Sequence, residues 1–341
     1  MKTKILVGMS GGVDSTVSAM RLRKDGYDVE GAVLVMSEHT DTEAAVRAAD
    51  AVGIPLHIVD CRSDFDRFVK REFAAEYLRG RTPNPCVVCN RFVKIEYLCR
   101  TAREIGAEKV ATGHYCGIGY DETTGRFFPK MGKDKKKDQS YVFWNLTQEQ
   151  LSMLYCPLAG GTKEDTVAEA GAVGLPVPDG ESQDICFLPD VNHAAYIESV
   201  AGRQPEGDFI DENGAVIGRH KGIIHYTVGQ RKGLGIALGH PAFVSRICAE
   251  DNTVQLTDES ALFRTSFTCS GLNFCKLPPR DRGEIRTLVK VRYAAPPTEA
   301  VVTWENGVAN VLLSEPARAV TPGQSAVFYD GTDVLFGGFL D

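Results

Sequence analysis

Ile5-Leu6-Val7-Gly8-Met9-Ser10-Gly11-Gly12-Val13-Asp14-Ser15 begins as a short apolar run and breaks into small residues. The run reads as a buried strand, and Ser15-Thr16-Val17-Ser18-Ala19-Met20-Arg21-Leu22 then opens a helix. Small residues let the backbone approach a ligand, and a helix start offers unpaired N–H groups to an anion. The loop therefore reads as a phosphate cradle. It lacks the Gly-x4-Gly-Lys-[Ser/Thr] spacing and the lysine of a nucleotide-triphosphatase loop. Its Ser10 and Ser15 hydroxyls and the Asp14 carboxylate suit pyrophosphate held with Mg2+. An ordinary tight strand-to-helix turn is the competing reading of the loop alone.

Working outward, strands and helices alternate to about residue 115, which predicts an α/β fold with a doubly wound parallel sheet. Strands are expected at 28–35, 55–60 and 109–112, and helices at 42–52, 65–78 and 92–105. The stretch Arg81-Thr82-Pro83-Asn84-Pro85-Cys86-Val87-Val88-Cys89-Asn90 reads as a loop, and Tyr141-Val142-Phe143-Trp144 as strand-like. Ligands gather at the carboxyl ends of such strands, so the Gly8 loop, Leu34 and Gly113-His114 should face one crevice. A helix is expected over 164–172, then a glycine-rich linking segment to about residue 247. Beyond it, Glu305-Asn306-Gly307 and Asp330-Gly331 are hairpin signals, which predicts a small C-terminal β-barrel. The domains are read as 1–190, 191–250 and 251–341.

The chain has 341 residues, 43% of them hydrophobic, and a net charge of −7. This composition is that of a globular protein with two or three domains. No apolar run approaches a membrane span and the N-terminus enters a strand directly, so no signal peptide, anchor or membrane partner is expected. Ten cysteines in so long a chain suit a reducing cytoplasm rather than a disulfide framework. The acidic balance argues against nucleic acid, and no DNA partner is expected. Three local basic groups (Lys130 to Lys137, Arg219 to Lys232, Arg280 to Arg292) leave room for a phosphate-rich partner.

Cys86 and Cys89 stand in a proline-bounded loop just before a helix, a placement that exposes the sulfurs and lowers a thiol pKa. Cys186 follows the polar turn Asp179-Gly180-Glu181-Ser182-Gln183-Asp184. Alone, it reads as a core residue. A zinc knuckle lacks its second pair, and a thioredoxin-like pair normally opens a helix directly from a strand. Together with the loop pair, Cys186 suggests reactive thiols beside a nucleotide crevice.

These pieces, in this order, resemble the tRNA-specific 2-thiouridylases. The resemblance runs from Gly8–Ser15 through Gly80-Arg81-Thr82-Pro83-Asn84-Pro85, Ala111-Thr112-Gly113-His114-Tyr115, Lys137-Asp138-Gln139-Ser140-Tyr141 and Ile185-Cys186-Phe187. It continues through His225–Gly235 and Val291-Arg292-Tyr293 to Ala319–Tyr329. The first motif is common to many ATP pyrophosphatases of the PP-loop class, while the combination is specific. The resemblance implies ATP-dependent thiolation of the wobble uridine, with the C2 oxygen adenylated and AMP leaving when sulfur attacks.

It implies ATP contacts at Gly8, Met9, Ser10, Gly11, Gly12, Val13, Asp14, Ser15, Leu34 and Gly113. It makes Cys89 the nucleophile and Cys186 the persulfide carrier, with Cys86 and Asp14 also in the catalytic set. Contacts to the tRNA anticodon stem-loop are implied at Asn84, Pro85, Cys86, His114, Lys137, Asp138, Gln139, Arg292, Tyr293 and Gln324. A sulfur-donor protein or sulfide is the second partner. Many relatives carry Asp where this chain has Cys86. Three cysteines suit a 4Fe-4S cluster with one open iron, so Cys86, Cys89 and Cys186 are candidate cluster ligands as well as candidates for a persulfide route. The rival functions are another PP-loop tRNA-modifying or amidotransferase-type enzyme, which needs neither Cys89 nor Cys186, and a non-catalytic RNA-binding protein.

Overall fold

A computed structural model describes residues 2–175, 185–188, 192–236 and 239–341. The expected polar turn at 179–184 lies outside the described residues.

The N-terminal part alternates β1 (Lys4–Gly8), α1 (Val13–Lys24), β2 (Asp28–Val35), α2 (Thr42–Val52), β3 (Leu56–Asp60) and, after two helical runs, β4 (Lys109–Ala111). Strand β1 shows why the sheet is wound on both sides. Ile5 and Val7 pack with Ala19 and Leu22 of α1 and Ala48, Ala49 and Val52 of α2, whereas Leu6 faces the helices that carry Phe65, Phe73 and Leu98. Alternating side chains thus bury both faces, as a parallel sheet requires. A hairpin of β5 (Cys116–Asp121) and β6 (Arg126–Met131) follows, and β7 (Leu154–Tyr155) closes the parallel sheet in the order β3-β2-β1-β4-β7.

The middle part holds β8 (Gly207–Ile210), β9 (Val216–His220), β10 (Phe243–Cys248) and β11 (Thr253–Thr257) in a four-stranded sheet. The last part contains β12 (Phe263–Phe274), β13 (Arg282–Lys290), β14 (Thr298–Glu305), β15 (Val308–Arg318), β16 (Ser325–Asp330) and β17 (Asp333–Leu340). Antiparallel pairing of β12 with β17 closes these six into a barrel. Asn306 and Gly307 both take positive φ (51° and 80°), as the two-residue turn between β14 and β15 demands.

Two local readings are corrected, and one strand pairing joins distant parts of the chain. Residues 140–143 form a 3-10 turn, not a strand. Their aromatic side chains are spent on the barrel: the Tyr141 hydroxyl donates to Ser325 O at 2.8 Å, and Trp144 packs over Gly337 where no Cβ fits. The β5–β6 hairpin extends the sheet of the barrel through β17, so two strands from the first part of the chain belong to the last sheet. Lastly, a helix begins at Pro85 inside the expected loop, because the Asn84 side chain accepts the Cys86 N–H and Pro85 takes the first helical position.

Candidate active site

The Gly8–Ser15 loop is assembled by its own short side chains. Ser15 Oγ donates to Gly12 O at 3.0 Å and accepts the Ser10 N–H at 3.2 Å. Gly11 takes φ 79° against Ala44, where a Cβ would lie 2.6 Å from backbone. Gly12 caps α1 without a side-chain hydrogen bond, which leaves the first N–H groups of the helix open to an anion. Gly113 is required for a separate reason. A Cβ there would sit 2.8 Å from the Asp14 carbonyl carbon and 2.9 Å from Ser15 N, so its strand end presses directly on the loop.

The loop opens onto a crevice of about 1080 Å³, close to the upper end of the roughly 300–1,000 Å³ typical of ligand sites. Its walls include Leu34 and Met36 from the end of β2, His114 from the end of β4, and Lys94, Lys137, Cys186 and Tyr293. Open backbone N–H groups, hydroxyls and a carboxylate at one end have the chemistry that suits a nucleotide with a magnesium ion. Apolar Leu34, Phe65 and Leu98 line the same space.

Asp14 carries a partner that its motif did not reveal. Lys163 Nζ donates to both carboxylate oxygens, at 2.7 and 2.8 Å, and the Tyr115 hydroxyl donates to one of them at 2.8 Å. Lys163 opens the helix Lys163–Ala172, far from the loop in sequence, and only the fold brings it there.

Of the three candidate thiols, Cys186 is the one on the crevice wall. The neighbouring Phe187 is buried edge-on against Phe65 and Phe73, with centroids 5.7 and 5.4 Å apart. That aromatic plug fixes Cys186 beside the helix that carries Cys86 and Cys89. The three sulfurs fall within electrostatic reach of one another. The expectation of two exposed loop thiols with lowered pKa is corrected for Cys89. With the helix starting at Pro85, Cys89 turns inward one turn later and is buried, and this burial pushes its thiol up to about 12. Cys86 stays exposed. Cys186 is raised by desolvation of its sulfur although much of the residue is exposed. Lys94, at the end of the wide helical turn Asn90–Lys94, opposes both rises by favouring thiolate. No carboxylate pairs with Lys94 among the described residues. Among those residues, too, no three His, Cys, Asp or Glu side chains are grouped to hold a metal ion.

Several residues expected to meet RNA make internal bonds. The Asp138 carboxylate is buried and accepts from Gly132 N, Ser140 N and Ser140 Oγ. Gln139 Oε1 accepts the Tyr115 N–H at 2.9 Å, and Gln324 Nε2 donates to Thr82 O at 2.9 Å. Arg292 donates to Val228 O and Thr321 Oγ1, and burial lowers its pKa. The His114 ring bonds Thr112 Oγ1 at 2.8 Å and is held neutral by burial. Lys137, His114 and Tyr293 face the crevice directly. Asn84 and Pro85 begin the cysteine helix, and the chain just before them is tied to the barrel by the Thr82 N–H donating to Pro322 O at 2.8 Å. No helix among the described residues is long and apolar enough to cross a membrane.

Residues 3–190 match a family model described as the tRNA methyl transferase HUP domain, 194–258 the tRNA methyl transferase PRC-barrel domain, and 264–340 the aminomethyltransferase beta-barrel domain. Over its full length the chain is 43% identical to a tRNA-specific 2-thiouridylase of Acetivibrio thermocellus, covering 99% of each. It is 41% identical to one from Clostridium perfringens (100% of this chain, 99% of that one) and 43% identical to one from a Thermoanaerobacter species (99% and 98%).

Proposed function

The chain belongs to the tRNA-specific 2-thiouridylases, ATP-dependent tRNA sulfurtransferases, and on that premise we propose that it exchanges the C2 oxygen of the wobble uridine for sulfur in this crevice. The observation that carries the reading is the meeting of a phosphate loop and Cys186 on one cavity, with Cys89 in electrostatic reach behind it.

A carbonyl oxygen leaves poorly, so the uridine oxygen attacks the α-phosphorus of ATP and pyrophosphate departs. The α1 N-terminus, Ser10 and Ser15 hold the phosphates, Leu34 and Gly113 bound the nucleotide, and Asp14 is the residue that would hold magnesium. When bound, that ion neutralises phosphate charge. Persulfide sulfur on Cys186 attacks C2, and the C–O bond breaks with AMP carrying the oxygen away. Cys89 then attacks the Cys186 sulfur. The new thiocarbonyl is released and the two cysteines remain as a disulfide, which balances the two electrons taken up by the sulfane sulfur. An anticodon uridine lies in a single-stranded loop and can be turned into a pocket at modest cost. In this reading, residues 1–190 carry the chemistry, while 191–250 and the barrel hold the RNA together with Asn84, Pro85, Lys137, Asp138, Gln139, Arg292, Tyr293 and Gln324. The internal bonds of Asp138, Gln139, Arg292 and Gln324 argue that these four shape the RNA-facing surface from behind.

A cluster on Cys86, Cys89 and Cys186 is the second reading. The electrostatic reach of their sulfurs upon one another favours it. One experiment separates the two: iron and sulfide analysis of anaerobically prepared protein, followed by thiolation of an unmodified tRNA transcript. Colourless, iron-free protein that thiolates RNA from a persulfide donor supports the persulfide route. Activity that depends strictly on bound iron and sulfide sinks it.

A further inference from the structure

The loop carboxylate is paired with an ammonium from another element of the fold. Both Asp14 oxygens lie within 2.8 Å of Lys163 Nζ, and the Tyr115 hydroxyl occupies one of them as well. The backbone of Lys163 is fixed while its stem is flexible. Its N–H donates to Asp134 Oδ2 at 3.1 Å, its helix is closed by a capping box of Thr162 and Asp165, and Arg21 of α1 grips Glu169 on that helix at 2.8 Å. The ammonium is therefore delivered to Asp14 from a rigid base, on a stem able to swing. Both groups line the crevice.

A divalent cation and an ammonium compete for the same carboxylate oxygens. Magnesium is usually held by one or two carboxylates together with substrate phosphates. Among the described residues no group of three ligating side chains is available to supply the missing ligands. A nucleotide arriving beside Asp14 would bring phosphate oxygens as further metal ligands, and those same phosphates offer the ammonium another anion.

Taking the crevice to be the Mg2+–ATP site proposed above, we propose that Lys163 is the resident counter-ion of Asp14 and a positioning residue that makes metal entry conditional on nucleotide entry. The ammonium moves from carboxylate to phosphate as magnesium moves onto the carboxylate. Without nucleotide, the pair keeps divalent cations out of the loop.

The test uses Mn2+, followed by its EPR signal, in place of magnesium, on the full chain with and without a non-hydrolysable ATP analogue. Wild type is expected to leave Mn2+ free until the analogue is added. Lys163→Met is expected to bind Mn2+ without nucleotide at least about tenfold more tightly than wild type, and to bind the analogue about tenfold more weakly, the scale of one charge-assisted hydrogen bond. Adding Asp14→Asn should remove the gained Mn2+ site, and Lys163→Arg should keep wild-type behaviour. A Lys163→Met protein that melts like wild type yet shows unchanged nucleotide-free Mn2+ binding overturns the proposal. Should that variant unfold, wild type decides: equal Mn2+ affinity with and without the analogue overturns it. Failure of wild type to bind the analogue at all would instead remove the nucleotide reading of the crevice.

Discussion

The nucleotide loop and Cys186 face the same crevice, yet the first is tied within its own few residues and the second is placed by packing between distant elements. Ser10, Gly12 and Ser15 hydrogen-bond one another, and α1 follows directly. Cys186 comes within electrostatic reach of Cys89 as Phe187 packs into the pocket of Phe65 and Phe73 and the Pro85 helix turns Cys89 inward. A locally built site tolerates change elsewhere. One assembled by burial of a distant aromatic ring fails when the packing fails.

The sharpest way to break the comparison is at sulfur. Cys89→Ser or Cys186→Ser should each cut tRNA thiolation by about a thousandfold or more, as removal of a nucleophile does, while ATP-analogue binding stays within about twofold. Cys86→Ser should cost far less, and an equal loss there would favour three equivalent thiolates. The next effect falls on the loop. Gly113→Ala forces a methyl into the Asp14–Ser15 backbone, and calorimetry should show analogue binding weakened about a hundredfold, whereas Cys186 alkylation is unchanged. Phe187→Ala tests the long-range side. It should lower the unfolding free energy by about 3–5 kcal/mol, measured in urea, and reduce thiolation more than analogue binding.

Smaller changes sharpen the picture. Tyr115→Phe removes one hydrogen bond to Asp14 and should raise the ATP KM about three- to tenfold with kcat nearly unchanged. The smallest effect concerns protonation. Because Cys89 is raised to about 12, it is a neutral thiol at pH 7, and its alkylation should accelerate about tenfold per pH unit as pH climbs towards that value. Lys94 favours the thiolate, so Lys94→Met should move this profile to higher pH. A shift to lower pH would contradict the placement of that charge.

The same contrast explains what could be read in the sequence. The α/β alternation, the Gly8 loop and the Asn306-Gly307 hairpin depend on periodicity and on φ requirements that single residues announce. The Pro85 helix carried a signal too, since Asn84-Pro85 is a cap followed by a first-turn proline, but the two prolines read more readily as a loop. Tyr141 to Trp144 has strand-like composition, and only the barrel it plugs makes it a 3-10 turn. The partnership of Lys163 with Asp14, and the turn that brings Lys94 towards the thiols, had no local signature at all. They are products of tertiary packing between elements distant along the chain.

A single-turnover reaction tests the central claim most directly. Protein preloaded with persulfide on Cys186 is mixed with ATP and unmodified tRNA transcript, and its peptides are then mapped by mass spectrometry. The account predicts one Cys89–Cys186 disulfide for each thiolated uridine, with AMP and pyrophosphate in equal amount. Full thiolation that leaves both cysteines as free thiols would contradict it.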